Sequence, residues 1–89
     1  MKLDITIEIR KKGQWYVARC PELDFISQGR DQTEAKQNLL EVIEIQFEEM
    51  REKGALDDYL SECGYEKKDR MFMIPDRMLV SETYSLQGT

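Results

Sequence analysis

Leu3, Ile5, Ile7 and Ile9 alternate with Asp4, Thr6, Glu8 and Arg10. This is the period-two pattern of a half-buried strand with one apolar face. Lys11-Lys12-Gly13 reads as a short turn, so the next strand is expected to pair antiparallel with the first. That second strand, Gln14 to Cys20, is apolar on both sides: Trp15 and Val17 point one way, and Tyr16, Ala18 and Cys20 point the other. Both of its faces are therefore expected to be covered, one by a helix and the other by a neighbour. Trp15, Tyr16 and Arg19 could suggest base stacking, but with few basic residues around them they read as sheet packing. Pro21 ends the strand by removing a backbone donor. Phe25-Ile26-Ser27 predicts a short third strand, and Gly29 an exit turn.

Asp31-Gln32-Thr33-Glu34 has the spacing of a capping box, with Asp31 as N-cap and Glu34 at the third helical position. The helix it opens is expected to run to about Lys53. Ala35, Leu39, Val42, Ile43, Phe47 and Met50 form its apolar stripe, and Gly54 supplies the stop. Leu56 to Leu60 predicts a second, short helix closed by Cys63-Gly64. Arg70 to Ile74 reads as a strand ending at Pro75, and Met78, Val80, Tyr84 and Leu86 alternate well enough for a last strand or an extended arm. The expected fold class is α+β: a small antiparallel sheet in βββα-α-β order, extended by that C-terminal segment, with the long helix packed on one face.

Composition narrows the function classes. With 89 residues the chain is expected to form one domain over residues 1–89. The balance of 40% hydrophobic and 35% charged residues is that of a soluble globular protein. No apolar run approaches the roughly 20 residues of a membrane span, and the strand-like start predicts no signal peptide, so a cytoplasmic protein is expected. A net charge of −5 disfavours direct nucleic-acid binding, which needs clustered Lys and Arg, and suits a basic protein partner better. Cys20 and Cys63 read as reduced thiols. Two Cys and no His fall short of a zinc site, and the absence of His also removes the commonest general base. No cofactor is expected.

One stretch carries a family resemblance. Gln14-Trp15-Tyr16-Val17-Ala18-Arg19-Cys20-Pro21-Glu22-Leu23-Asp24, then Ser27-Gln28-Gly29, then Glu34-Ala35-Lys36-Gln37-Asn38-Leu39, resembles the HicB-like antitoxin family in order and spacing. The resemblance covers roughly residues 3–65 and implies a partial RNase H-like fold. It also implies a function, which is to bind and mask a small basic RNA-cleaving toxin of the HicA type, with no catalytic residue of its own. Members of that family often continue into a helix-turn-helix or ribbon-helix-helix module. The segment from Pro75 to Thr89 is too short for either, so protein binding is the activity the resemblance leaves. The alternatives are an orphan oligomeric binding or scaffold protein of the same fold, and a metal-dependent RNase H-like nuclease.

A nuclease would recruit Asp4, Glu8 and Asp24. Asp4 and Glu8 are expected on one face of the first strand, about 13 Å apart, which is too far to share one metal, so they read as solvated residues. On the long helix, Glu34, Glu41, Glu44, Glu48 and Glu52 fall opposite the apolar stripe. Glu44, Glu48 and Glu52 are successive like charges, each pair costing about 0.2–0.5 kcal/mol. The bland reading is a solvated face. The functional reading is a docking surface made of Glu41, Glu44, Glu48 and Glu52, with the off-stripe Ile45 as an anchor. Met71, Met73, Met78, Val80 and Tyr84 are candidates for a homo-oligomer interface, because methionine adapts to irregular contacts. A homodimer or higher homo-oligomer is expected, from the apolar residues on both faces of the second strand and from the alternating segment Met71 to Leu86.

Overall fold

The alternation read along the first strand holds, but its hydrogen-bonding partners change partway. The computed structural model describes residues 2–68, 71–73 and 83–87. It divides the expected single strand at Ile7 into β1 (Lys2–Thr6) and β2 (Glu8–Lys12). Leu3, Ile5 and Ile7 are all buried in one core and Ile9 packs against it, so the apolar face runs through the break. Side-chain periodicity reports which way residues point, and not which strand accepts their backbone bonds.

β2, β3 (Trp15–Cys20) and β4 (Phe25–Gly29) form a three-stranded antiparallel sheet. The turn between β2 and β3 sits at Gly13-Gln14, one step later than expected, because Lys11 and Lys12 belong to β2 and pair with Tyr16 and Trp15. β1 lies in a second sheet of order β5-β6-β1-β7. There β6 (Met71–Met73) runs parallel to β1, and β7 (Thr83–Gln87) runs antiparallel to it from Lys2↔Gln87 to Thr6↔Thr83. β5 (Glu66–Lys68) pairs antiparallel with β6. The sequence pattern did not anticipate β5, whose Glu-Lys-Lys has no apolar alternation. The expected strands over 70–74 and 78–86 are thus met at Met71–Met73 and from Thr83 on. Met78 and Val80 lie outside the described residues.

The long helix α1 (Gln32–Glu52) starts where its cap predicts. The Asp31 carboxylate accepts the Glu34 N–H at 2.7 Å. It ends in a Schellman pair, Gly54 N–H to Arg51 C=O and Ala55 N–H to Met50 C=O, with Gly54 at φ 68. Ala35, Leu39, Ile43 and Phe47 are buried against the sheet, and Leu40 and Met50 pack at the margin. Val42, expected in the stripe, is half-buried at its edge. α2 (Leu56–Glu62) closes the core with Leu56 and Leu60.

Gly29 is glycine for a reason other than a turn. A Cβ there would lie 2.8 Å from the Glu34 carbonyl carbon and closer still to the Ala35 nitrogen. The absence of a side chain lets the first turn of α1 rest on β4. The Asn38 amide, which donates to the Gln28 carbonyl at 2.9 Å, fixes the same contact.

Candidate functional site

The outward side of α1 follows from its inward side. With Ala35, Leu39, Ile43 and Phe47 committed to the core, the 3.6-residue period places Glu41, Glu44, Glu48 and Glu52 away from it, and all four are exposed. Ile45 stands among them at 62% exposure. Two local ion pairs soften the field. Arg51 Nη1 meets Glu48 Oε2 at 2.9 Å, and Lys53 Nζ meets Glu49 Oε1 at 3.1 Å. Both are surface pairs of small energetic weight. The expected docking residues therefore share one exposed, acidic helix side with an apolar residue at its border.

Asp4 and Glu8, expected on one face of a single strand and too far apart to share a metal, lie on different sheets. Asp4 is on β1 in one sheet and Glu8 on β2 in the other, since the break at Ile7 separates them. Glu8 and Asp24 do approach each other, but around a cation. Arg19 lies 3.6 Å from Glu8 Oε1 and 4.0 Å from Asp24 Oδ1. Asp24 sits in the turn before β4 at φ 58, a left-handed conformation that Asp tolerates better than most residues. Among the described residues, no group of three His, Cys, Asp or Glu is placed to hold a metal ion.

A polar hinge holds the turn between β3 and β4 against its neighbours. Glu22 Oε1 accepts the Thr6 N–H at 3.0 Å, at the end of β1, and the Cys20 thiol at 3.4 Å. Tyr59 on α2 donates to the Leu23 carbonyl at 2.7 Å and stacks on Phe25 with ring centres 6.2 Å apart. Tyr65 donates to the Asp4 carbonyl at 2.7 Å. Burial pushes the Cys20 thiol up to about 12, so it remains protonated and unreactive. Burial also raises the Tyr59 phenol to about 12 and shifts Cys63 upward. Both cysteines are free thiols. This cluster ties the two sheets together and has the character of a structural joint.

Three of the expected oligomer residues fall on the second sheet, and the other two, Met78 and Val80, lie outside the described residues. Met71 and Met73 belong to β6, between β5 and β1, and Tyr84 belongs to β7, opposite Ile5 of β1.

One surface was read differently from the sequence. Trp15, expected to pack on the sheet under a covering neighbour, has none over it among the described residues. It is 44% exposed on the face of the β2–β3–β4 sheet turned away from α1. Ile26, two rows away beside Arg19, is 61% exposed, and Val17 between them is buried at 8%. Arg10, Lys12 and Arg19 surround this apolar strip, lining two shallow depressions of about 500 and 560 Å³. The signal was present in the two-sided apolar pattern of β3. That pattern predicts a neighbour over this side of the strand, and among the described residues the side stays open at Trp15 and Ile26.

No helix among the described residues is long and apolar enough to cross a membrane. Comparison with protein-family models, curated proteins and solved structures returned no match to this chain.

Proposed function

We propose that this chain is a HicB-like antitoxin-type binding protein that docks a small basic RNA-cleaving toxin of the HicA type against the outer side of α1. The observation that carries the reading is Ile45, 62% exposed, bordered by Glu41, Glu44, Glu48 and Glu52 on a helix whose other side is fixed in the core. Exposed carboxylates speed encounter with a cationic partner and set its register. An apolar residue within the same patch supplies the desolvated contact that slows dissociation. Masking of this kind needs no catalytic group, and the chain is read as a non-enzyme.

The order of elements supports the family part of the reading. Taken as one bent strand, β1–β2 is followed by β3, β4, α1 and α2, the βββα-α part of that order, and then by β5, β6 and β7, of which β6 returns beside β1.

The test is co-expression with any small basic protein encoded beside this gene. The expected result is a stable complex in which the partner's RNA cleavage is suppressed, and Ile45→Asp should raise its dissociation rate. If no neighbour-encoded basic protein binds, the chain is an orphan scaffold instead. RNA cleavage by the chain alone with Mg²⁺ or Mn²⁺, lost on Glu8→Gln, would make it a nuclease.

A further inference from the structure

We propose that the open face of the β2–β3–β4 sheet is a twofold self-association surface occupied by a second copy of this chain. The strand registers arrange its side chains in rows. Glu8, Arg19 and Ile26 form the first row, Arg10, Val17 and Gln28 the second, and Lys12 with Trp15 the third. In a chain of net charge −5, this face carries three cations against one acid. The exposed Trp15 and Ile26 flank a nearly buried Val17, so an apolar strip runs across a charged frame.

Two copies can stack these sheets face to face about an axis lying between them, with strands roughly aligned. If the axis runs along the strands, each row meets itself, and the central Arg19 is buried against Arg19 of the second copy. That arrangement places like charges in the driest part of the contact.

If the axis runs across the strands along the second row, the first row meets the third. The Glu8 carboxylate then faces the Lys12 ammonium of the second copy, and the Arg19 guanidinium faces the Trp15 indole, a cation–π contact. Val17 meets its own copy on the axis, and each of the other relations occurs twice. The remaining like-charge contact, Arg10 with Arg10, falls at the solvent edge on β2. Arg19 is free to take this role, because its present ion pairs are long, 3.6 and 4.0 Å, and its side chain is half exposed.

The rows span about 13 Å along the strands and about 10 Å across them. This is well below the roughly 800 Å² per partner of a standard interface, so the dimer is a weak, concentration-dependent one. It leaves both α1 outer sides pointing away from the contact, and the surface is independent of the one assigned above to the toxin. A single-stranded nucleic acid fits the face less well. Trp15 is its one aromatic residue, Tyr16 being turned to α1, and Glu8 interrupts the cationic rows.

The experiment is sedimentation equilibrium of the full chain from micromolar to several hundred micromolar, with thermal unfolding of every variant to show that it is folded. The expected result is a monomer–dimer equilibrium. Glu8→Lys and Lys12→Glu should each weaken it about tenfold or more, and the double variant Glu8→Lys/Lys12→Glu should restore it. Restoration cannot arise within one chain, since Glu8 lies opposite Arg19 and Lys12 opposite Trp15, at the two ends of the β2–β3 ladder. A monomer throughout the range would overturn the proposal. So would a double variant as weak as the single ones, or a dimer insensitive to all of these changes, which would place the interface on another surface. Quenching of Trp15 fluorescence in a monomeric protein by oligouridylate would give the face to single-stranded nucleic acid instead.

Discussion

The layer formed by α1 and the β2–β3–β4 sheet has two outer surfaces, and they carry opposite charge. On the helix side, Glu41, Glu44, Glu48 and Glu52 border Ile45. On the sheet side, Arg10, Lys12 and Arg19 frame Trp15, Val17 and Ile26. Both combine charge with exposed apolar area, which is what separates a docking surface from a merely solvated one. A net charge of −5 describes neither surface. It is dominated by the helix, whose acids sit where the 3.6-residue period leaves them, and it conceals a cationic sheet face built by strand alternation. The occupants proposed for them differ accordingly, a basic partner for the helix side and a second copy for the sheet side.

The largest expected effect removes both surfaces together. Phe47 is buried against the sheet, and Phe47→Ala should cost about 3–5 kcal/mol, read as a shift in the denaturation midpoint. Ile45→Ala, two residues away on the exposed side, should stay within about 0.5 kcal/mol. Equal losses would mean that the helix phase, and with it the acidic surface, is misplaced. Gly29→Val should be of intermediate severity, about 1–3 kcal/mol or more, because its side chain would press into the first turn of α1. If it unfolds like wild type, the close seating of helix on sheet is not what joins the two surfaces.

The joint between the sheets gives a pH prediction. The Cys20 thiol is raised by burial from 9.0 to about 12 and the Tyr59 phenol from 10.0 to about 12. In the unfolded chain both groups ionise earlier than in the folded one. Their neutral forms therefore support the fold fully below about pH 9, and the support is lost as pH rises towards 12. Each group adds a slope of at most about 1.4 kcal/mol per pH unit within its window. Cys20→Ala should flatten the first part of that decline. An unchanged alkaline slope would show that Cys20 is not the buried neutral thiol described here.

Smaller effects separate the surfaces. Reversing Glu44, Glu48 and Glu52 to Lys should slow association with a basic toxin and weaken its salt dependence, with little change in stability. The same triple variant should dimerise like wild type, since none of these residues lies on the sheet. The smallest change is Glu48→Ala, expected within about 0.5 kcal/mol of wild type in stability. It relieves repulsion from Glu44 and Glu52 and loses a surface pair with Arg51.

Much of the fold was legible because local signals agreed. Asp31 and Gly54 mark the ends of α1 by side-chain and backbone chemistry that acts within a few residues. The stripe from Ala35 to Phe47 is read directly from its period. What escaped depends on distant partners. The break at Ile7 leaves alternation intact, and only the arrival of β6 and β7 beside β1 shows that the strand changes sheets. β5 is held by β6 and not by its own pattern. Of the candidate site, the acidic side of α1 was visible because a helix stripe dictates its opposite side. The sheet face was legible only in part: apolar residues on both sides of β3 call for a neighbour, but that Arg10, Lys12 and Arg19 frame Trp15 depends on the register of β2 against β3, which the pattern of one strand does not give.

The two proposed surfaces are separate, and an amide chemical-shift map tests this directly. Dilution of the free protein should move resonances of Arg10, Trp15, Val17 and Arg19, including the Trp15 indole, and leave those of Glu41 to Glu52 unchanged. Addition of the basic toxin should do the reverse, moving Glu41, Glu44, Ile45, Glu48 and Glu52. Toxin-induced shifts on the sheet face with none along α1 would contradict the account.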